Sequence, residues 1–137
     1  SIMASQLKVD TLTGVTTAGS IAVTGEGNST TTNLQQGLCK AWASLNDADT
    51  GSPALLDSFN SSGFTDTATG HFKINFTNSF NNNDFATTTS SRFADVDVGA
   101  MLTDQTTSQT KLLGRAYNSN SNTDFNENMC ASMGDLA

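Results

Sequence analysis

Residues 71–77 alternate strictly between polar and apolar side chains, and this pattern constrains the fold more than any other feature of the sequence. Phe72, Ile74 and Phe76 occupy every second position, with polar residues between them. Successive side chains of a β-strand point to opposite faces of its sheet. The pattern therefore predicts a strand that directs these three side chains into a core and the polar ones, such as Lys73, towards solvent.

Further short segments of strand character follow one another along the second part of the chain. They recur about every 8–12 residues, and Gly, Asn and Asp stand between them as turn residues. The predicted strands cover residues 39–45, 55–60, 64–69, 71–77, 85–91, 93–103, 111–118 and 126–136. Regularly spaced short strands are typical of antiparallel sandwiches and barrels. We expect an all-β domain, namely an antiparallel β-sandwich of jelly-roll-like form.

The composition supports strands over helices. Asn, Ser and Thr number 14, 16 and 21, more than a third of the 137 residues. Their side chains compete with the backbone for hydrogen bonds and so disfavour helix interiors, whereas Thr fits a half-exposed strand. A chain this polar could also be disordered, but its eight Phe and its recurring Leu, Ile and Val favour a folded state.

Two interpretations remain open where the aromatic-free first part of the chain ends. Residues 30–38 suit one helical turn capped by Thr32 or Asn33. Apolar spacing would extend that helix to residue 45, although Gly37 opposes the extension. The alternative is a strand over 39–45 with Cys39, Ala41, Ala43 and Leu45 on one face and Lys40 and Trp42 on the other, and we favour this strand.

Residues 1–38 form a Thr- and Gly-rich segment of a different kind. Two short alternating stretches, around Leu7 and Val9 and around Ile21 and Val23, are its strand candidates. Burying so few side chains yields only a few kcal/mol, against about 1–2 kcal/mol of backbone entropy per ordered residue. We therefore divide the chain into an extended β arm, residues 1–38, that orders when packed on sister copies or another protein, and a knob, residues 39–137. A floppy terminus is the alternative.

The charge balance excludes several classes of partner. The net charge is −7 with six basic residues, whereas nucleic-acid binding requires clustered Lys and Arg. No segment approaches the roughly 18 consecutive apolar residues of a membrane-spanning helix. We expect neither nucleic-acid binding nor membrane insertion.

The sequence offers little for catalysis or metal binding. His71 is the sole histidine and is interpreted as a solvated side chain beside a turn. Asp47 and Asp49 have the opening spacing of a calcium loop, but the later ligands are missing, so we interpret the segment as a plain loop. Asp95 and Asp97 would stand about 7 Å apart on one strand face, within the range of a glycosidase pair, yet exposed alternating acids explain them as well. We predict no catalytic, cofactor or metal site.

The cysteines and the remaining aromatic residues suit structural roles. Cys39 and Cys130 match no metal or redox spacing, and we favour two partly buried thiols over a disulfide. Trp42, Phe93 and Tyr117 could stack on sugars, but core packing is the favoured interpretation of each. No receptor-binding residue can be assigned from these patterns.

Several segments resemble the tail-fibre-like virion proteins of marine bacteriophages. The matching stretches are residues 7–14, 17–27, 31–38, Lys40-Ala41-Trp42, 57–62, 69–77 and the closing Cys130-Ala131-Ser132-Met133-Gly134-Asp135-Leu136. The resemblance covers most of the chain. It implies a virion component, assembled in the host cytoplasm, that forms a homotrimer with a distal knob touching the host surface.

The expected function is therefore that of a phage structural protein, a tail-fibre or surface-fibre component that contributes to host attachment. The expected partners are the chain itself, other virion proteins through the arm, and a glycan or protein of the host surface. Three alternatives remain: a capsid decoration protein, a carbohydrate-binding module that uses the surroundings of Trp42, and a glycan depolymerase that uses Asp95 and Asp97.

Overall fold

The computed structural model describes residues 6–15, 21–25, 30–46, 53–92 and 98–137. The chain divides into two compact units, Ser1–Gly37 and Leu38–Ala137. Asp47 and Asp49 of the predicted loop, Phe93 and the pair Asp95 and Asp97 lie outside the described residues. The same holds for the first five residues of the strand predicted over 93–103.

The first unit contains a small two-stranded sheet and one helical turn. Strand β1 (Ala22–Thr24) pairs antiparallel with β2 (Thr31–Asn33), and α1 (Leu34–Gly37) follows directly. The Gln36 amide donates a hydrogen bond to Asn33 Oδ1 at 3.2 Å, which confirms the predicted cap at Asn33.

The strand predicted around Leu7 and Val9 is wrong, because residues 6–15 form no strand. A strand is stabilised by hydrogen bonds to a neighbouring strand. Strand β1 has such a neighbour in β2, whereas residues 6–15 pair with no described strand.

The second unit is built from antiparallel strands in two sheets. The first sheet has the order β4-β3-β11-β7. In the second, the order is β8-β9-β6-β5, and the short β10 pairs with the end of β9. The strands are β3 (Cys39–Asn46), β4 (Ala54–Phe59), β5 (Ser61–Ala68), β6 (His71–Phe76), β7 (Ala86–Arg92), β8 (Val98–Thr106), β9 (Gln109–Ala116), β10 (Ser121–Asn122) and β11 (Glu127–Met133).

One hydrophobic cluster draws side chains from both sheets. The first sheet contributes Ala41, Ala43, Leu45 and Cys130, and the second contributes Phe72, Ile74, Phe76 and Leu112. Phe80 and Phe85, from the connection between β6 and β7, complete it, with their rings stacked at a centroid distance of 4.0 Å. The alternation predicted for residues 71–77 is confirmed, since every second side chain of β6 is buried. The fold is all-β with antiparallel sheets, consistent with a β-sandwich.

The chain passes from the first sheet to the second at Asn60. This residue has a positive φ of 54° between β4 and β5, a conformation that Asn tolerates better than most residues. Its Nδ2 donates to the carbonyls of Lys40 and Asn78, both at 3.0 Å. Its Oδ1 accepts from the Asn78 amide at 2.7 Å. Three hydrogen bonds therefore hold the corner and the end of β4 in place.

The structure decides between strand and helix for residues 39–45 and also bears on the expected jelly-roll-like form. Residues 39–45 form a strand and not a helical extension, and Ala41, Ala43 and Leu45 are buried on one face as predicted. The placement of Cys39 on that face is wrong, because the register with β11 shifts at its partner Met133 and Cys39 is exposed. The strand order does not confirm the jelly-roll-like form. In a jelly roll, consecutive strands fall largely in opposite sheets, whereas β3–β4, β5–β6 and β8–β9 are each neighbours within one sheet.

Candidate functional site

The structure gives His71 a structural contact. The residue begins β6 after the turn at Thr69 and Gly70, and its Nδ1 lies 3.1 Å from the carbonyl oxygen of Thr69. The contact joins the ring to its own turn. Among the described residues, no group of three or more His, Cys, Asp or Glu side chains could hold a metal ion.

The two cysteines are free thiols in different environments. Cys39 is exposed and not partly buried as predicted. Its Sγ lies 3.2 Å from the carbonyl oxygen of Ala41 and 3.6 Å from that of Ser132, and its single S–H can donate to either. Cys130 is buried, and burial raises the pKa of its thiol to about 11. Cys39 is opposite Met133, three residues along β11 from Cys130, or about 10 Å. This separation exceeds the Cα–Cα distance of a disulfide.

Core packing is the wrong interpretation for Trp42 and Tyr117, which are 37% and 58% exposed. The inward positions of β3 belong to Ala41, Ala43 and Leu45, so the residue between the first two faces outward. Large aromatic rings with this exposure on a regular sheet mark candidate contact positions.

Trp42 stands directly opposite a second exposed aromatic residue. Its register partner on β4 is Phe59, which is 53% exposed. Directly opposed residues of antiparallel strands have Cβ atoms about 4.5–5.5 Å apart and share a face, so both aromatic side chains start from neighbouring positions on the same face of the sheet. On the other side, the register partner of Trp42 is Ala131, which contributes only a methyl group. Sequence patterns did not single out Phe59.

Polar groups continue the same sheet face beside the rings. Asp57 of β4 is opposite Ser44 of β3. The Ser44 hydroxyl donates to Glu127 Oε1 at 2.9 Å, and Arg92 Nη2 lies 2.7 Å from Glu127 Oε2. This chain of contacts crosses β3, β11 and β7. We call the set comprising Trp42, Phe59, Asp57, Ser44, Glu127 and Arg92 the Trp42 face.

The Trp42 face can bind a ligand that has both an apolar surface and hydroxyl groups. The rings present apolar area, and the carboxylates and guanidinium present acceptors and donors on neighbouring rows. The face lies on four paired strands, and the Asn60 corner holds the end of β4. Little conformational freedom would therefore be lost on binding.

No family model, no curated protein and no solved structure matches this chain. No helix within the described ranges has the length and apolar character needed to cross a membrane.

Proposed function

We propose that the chain is a structural protein of a bacteriophage virion, a tail-fibre or surface-fibre component whose second unit attaches to a glycan of the host surface through the Trp42 face. The observation that carries the attachment role is the exposed, directly opposed pair of Trp42 and Phe59. The virion assignment rests on the resemblance of the sequence to tail-fibre-like proteins.

The aromatic pair suits a sugar ring. A pyranose presents C–H groups on its faces and hydroxyl groups around its edge. The faces can stack on Trp42 and Phe59, while the hydroxyls meet Asp57 and the Glu127–Arg92 pair. Exposed aromatic residues carry much of the binding energy at protein interfaces. A glycan therefore fits this face better than a wholly apolar partner would.

We further propose a homotrimer with a sandwich knob, in which the first unit serves for assembly or attachment. Leu7, Val9, Leu12 and Val15 of that unit are all more than half exposed. Three copies packed together would remove such side chains from water and leave fewer exposed strand edges.

The same exposed residues favour one second candidate, a capsid decoration protein anchored through the first unit. Such a protein would bind purified capsids through residues 1–37 and would not adsorb to host cells. A fibre component would adsorb to cells through the second unit.

The attachment role is tested by replacing Trp42. In Trp42→Ala and Phe59→Ala we expect at least a tenfold loss of affinity for the host glycan that the wild type binds, with little change in melting temperature. Leu102→Ala, an exposed residue of the other sheet, is the matched control and should bind normally. Wild-type affinity in both aromatic variants would contradict the proposal.

Fluorescence offers an independent measurement, because Trp42 is the one tryptophan of the chain. Acrylamide should quench its emission readily, and saturating glycan should protect it. A ring shielded from acrylamide in the free protein would rule out the Trp42 face.

The trimer is tested by light scattering. We expect a mass of three times 14.3 kDa for the full chain and a smaller species when the chain begins at Leu38. A monomer of both forms would contradict the assembly role of the first unit.

A further inference from the structure

The outer face of the second sheet concentrates positive charge in an otherwise acidic chain. Lys73 of β6, and Lys111 and Arg115 of β9, occupy positions that alternate with buried residues. They are half of the six basic residues in a chain with a net charge of −7. We call Lys73, Lys111 and Arg115, with Tyr117, the cationic face.

Two of these charges are placed side by side. Lys73 and Lys111 are direct register partners across β6 and β9, a placement in which like charges repel. Asp104, opposite Lys111 on β8, compensates one of them through an ion pair of 2.5 Å. The hydrogen bond and charge of Lys111 lower the pKa of Asp104. Within the described residues, Lys73 has no ion-pair partner, so its charge is available to a ligand.

The acidic residue of β5 does not share the face. Asp66 of β5 is the register partner of Phe72, whose side chain faces the core. Directly opposed residues share a face, so Asp66 is directed away from Lys73. Among the described positions of the four paired strands, the face therefore carries three cations and the single carboxylate of Asp104.

An aromatic ring borders the cations and depends on a glycine. Gly99 of β8 is opposite Arg115, and the Tyr117 side chain lies over Gly99 in the space that a Cβ atom would occupy. Arg115 Nη2 donates to the carbonyl of Asn120 at 3.2 Å. Its Nε is buried and has no hydrogen-bond partner among the described residues. The ring and the guanidinium are thus held next to each other on the sheet.

We propose that the cationic face binds an acidic glycan, a polysaccharide whose carboxylate groups meet Lys73, Lys111 and Arg115 while one sugar ring packs on Tyr117. The arrangement of charges complements a polyanion, and the exposed Tyr117 ring beside the cations offers a surface on which a sugar ring can pack. The face lies on the opposite sheet from the Trp42 face, so the inference does not depend on that site.

A glycan suits this face better than a nucleic acid. Duplex binding commonly neutralises about 6–10 phosphates, and three cations in a chain of net charge −7 fall short of that. A polyuronate carries one carboxylate per sugar ring, a lower charge density than that of duplex DNA, and so needs fewer cationic contacts. At physiological salt, charges beyond about 8 Å are screened, so distant acids of the chain do little to repel such a polymer.

The test uses the full chain and measures binding to alginate, a polyuronate, with unsubstituted dextran as the neutral probe. We expect alginate to bind, and its affinity to fall about tenfold between roughly 50 and 200 mM salt. The double variant Lys73→Gln, Lys111→Gln should bind alginate at least tenfold more weakly. The double variant Lys8→Gln, Lys40→Gln changes the net charge equally and should keep wild-type affinity.

Gly99→Ala tests the position of the ring without changing any charge. The added methyl group overlaps the free end of the Tyr117 side chain, which can swing away, so the fold should persist. We expect a several-fold loss of alginate affinity in Gly99→Ala and in Tyr117→Ala, and near-normal affinity in Tyr117→Phe.

Three results would overturn the inference. The first is equal alginate binding by the wild type and the Lys73, Lys111 double variant. The second is an equal loss in the Lys8, Lys40 control, which would indicate a response to net charge alone. The third is tighter binding of single-stranded DNA than of alginate, which would assign the face to nucleic acid.

Discussion

The two units of the chain share a Thr-rich composition but differ in what they bury. The unit Leu38–Ala137 places side chains from two sheets in one hydrophobic cluster. In Ser1–Gly37, none of the described residues is buried, and Val15 is 94% exposed. Strand β7 contains three consecutive Thr residues and is paired along all of its seven residues. Strands β1 and β2 are also rich in Thr, but each is only three residues long.

The difference shows that threonine content permits strands without determining their length. Strand β7 pairs along its whole length with β11, whose inward side chains are buried. Strands β1 and β2 pair with each other, and neither has a buried residue. Hydrogen bonds between strands contribute little net free energy of folding unless the paired strands also bury apolar surface. The second unit should therefore fold alone, and the first should depend on assembly.

Separating the units should give the largest effect. A protein that begins at Leu38 should unfold cooperatively, with a free energy of unfolding within about 1 kcal/mol of that of the second unit in the full chain. A peptide of residues 1–37 should show no cooperative transition, because it buries too little apolar surface to offset its backbone entropy. Circular dichroism during heating measures both. A cooperative transition in the peptide would remove the contrast between the units.

Truncating one apolar side chain in each unit should sharpen the comparison. Phe72 is 1% exposed and Leu7 is 78% exposed. Phe72→Ala should lower the free energy of unfolding by about 3–5 kcal/mol, and Leu7→Ala should change it by less than about 0.5 kcal/mol. Urea titration of each variant at a protein concentration below trimer assembly measures the difference. A large effect of Leu7→Ala under those conditions would mean that the first unit has a core of its own.

The sequence predicted those elements whose pattern is local. Strand β6 could be recognised because its alternation is uninterrupted, and Asn33 because a cap acts within one helical turn. The failures lie where distant residues decide the outcome. Alternation around Leu7 and Val9 suggested a strand, but a strand forms only with a partner. The sheet order likewise depends on which strands meet across long stretches of chain.

The candidate sites show the same limit. Uninterrupted alternation would place Leu55, Asp57 and Phe59 on one face of β4. A bulge between Ser44 and Leu45 shifts the register, so that Leu55 packs on the core while Phe59 is exposed. A bulge of this kind has no fixed sequence signature. The juxtaposition of Lys73 and Lys111 likewise depends on the register between β6 and β9, which are far apart in sequence.

Gly70 of the second unit and Gly37 of the first should differ in how well they tolerate an added side chain. Gly70 has a φ of +71°, and a Cβ atom there would lie 2.6 Å from the Gly114 carbonyl oxygen. Gly70→Ala should therefore cost about 2–4 kcal/mol, from the left-handed conformation and the overlap with backbone. Gly37→Ala, with nothing within 4 Å of the added atom, should be neutral or stabilise α1 by up to about 1 kcal/mol. Urea titration compares them, and equal costs would contradict the structure at the Gly70 turn.

At high pH the second unit should lose stability because of its buried thiol. Burial raises the pKa of Cys130 to about 11 from an ordinary value of 9.0. Between these two pH values the thiol keeps its proton in the folded state and loses it in the unfolded state. The resulting stabilisation is complete below pH 9 and is lost as the pH rises towards 11. Each pH unit corresponds to about 1.4 kcal/mol, so the free energy of unfolding should fall by about 2–3 kcal/mol over this pH range.

Urea titrations at several pH values should show this slope in the wild type and a weaker one in Cys130→Ala. Burial is the main cause of the raised pKa and Cys39 a minor one, so Cys39→Ala should keep most of the slope. An equal reduction in both variants would contradict the assignment to the buried thiol.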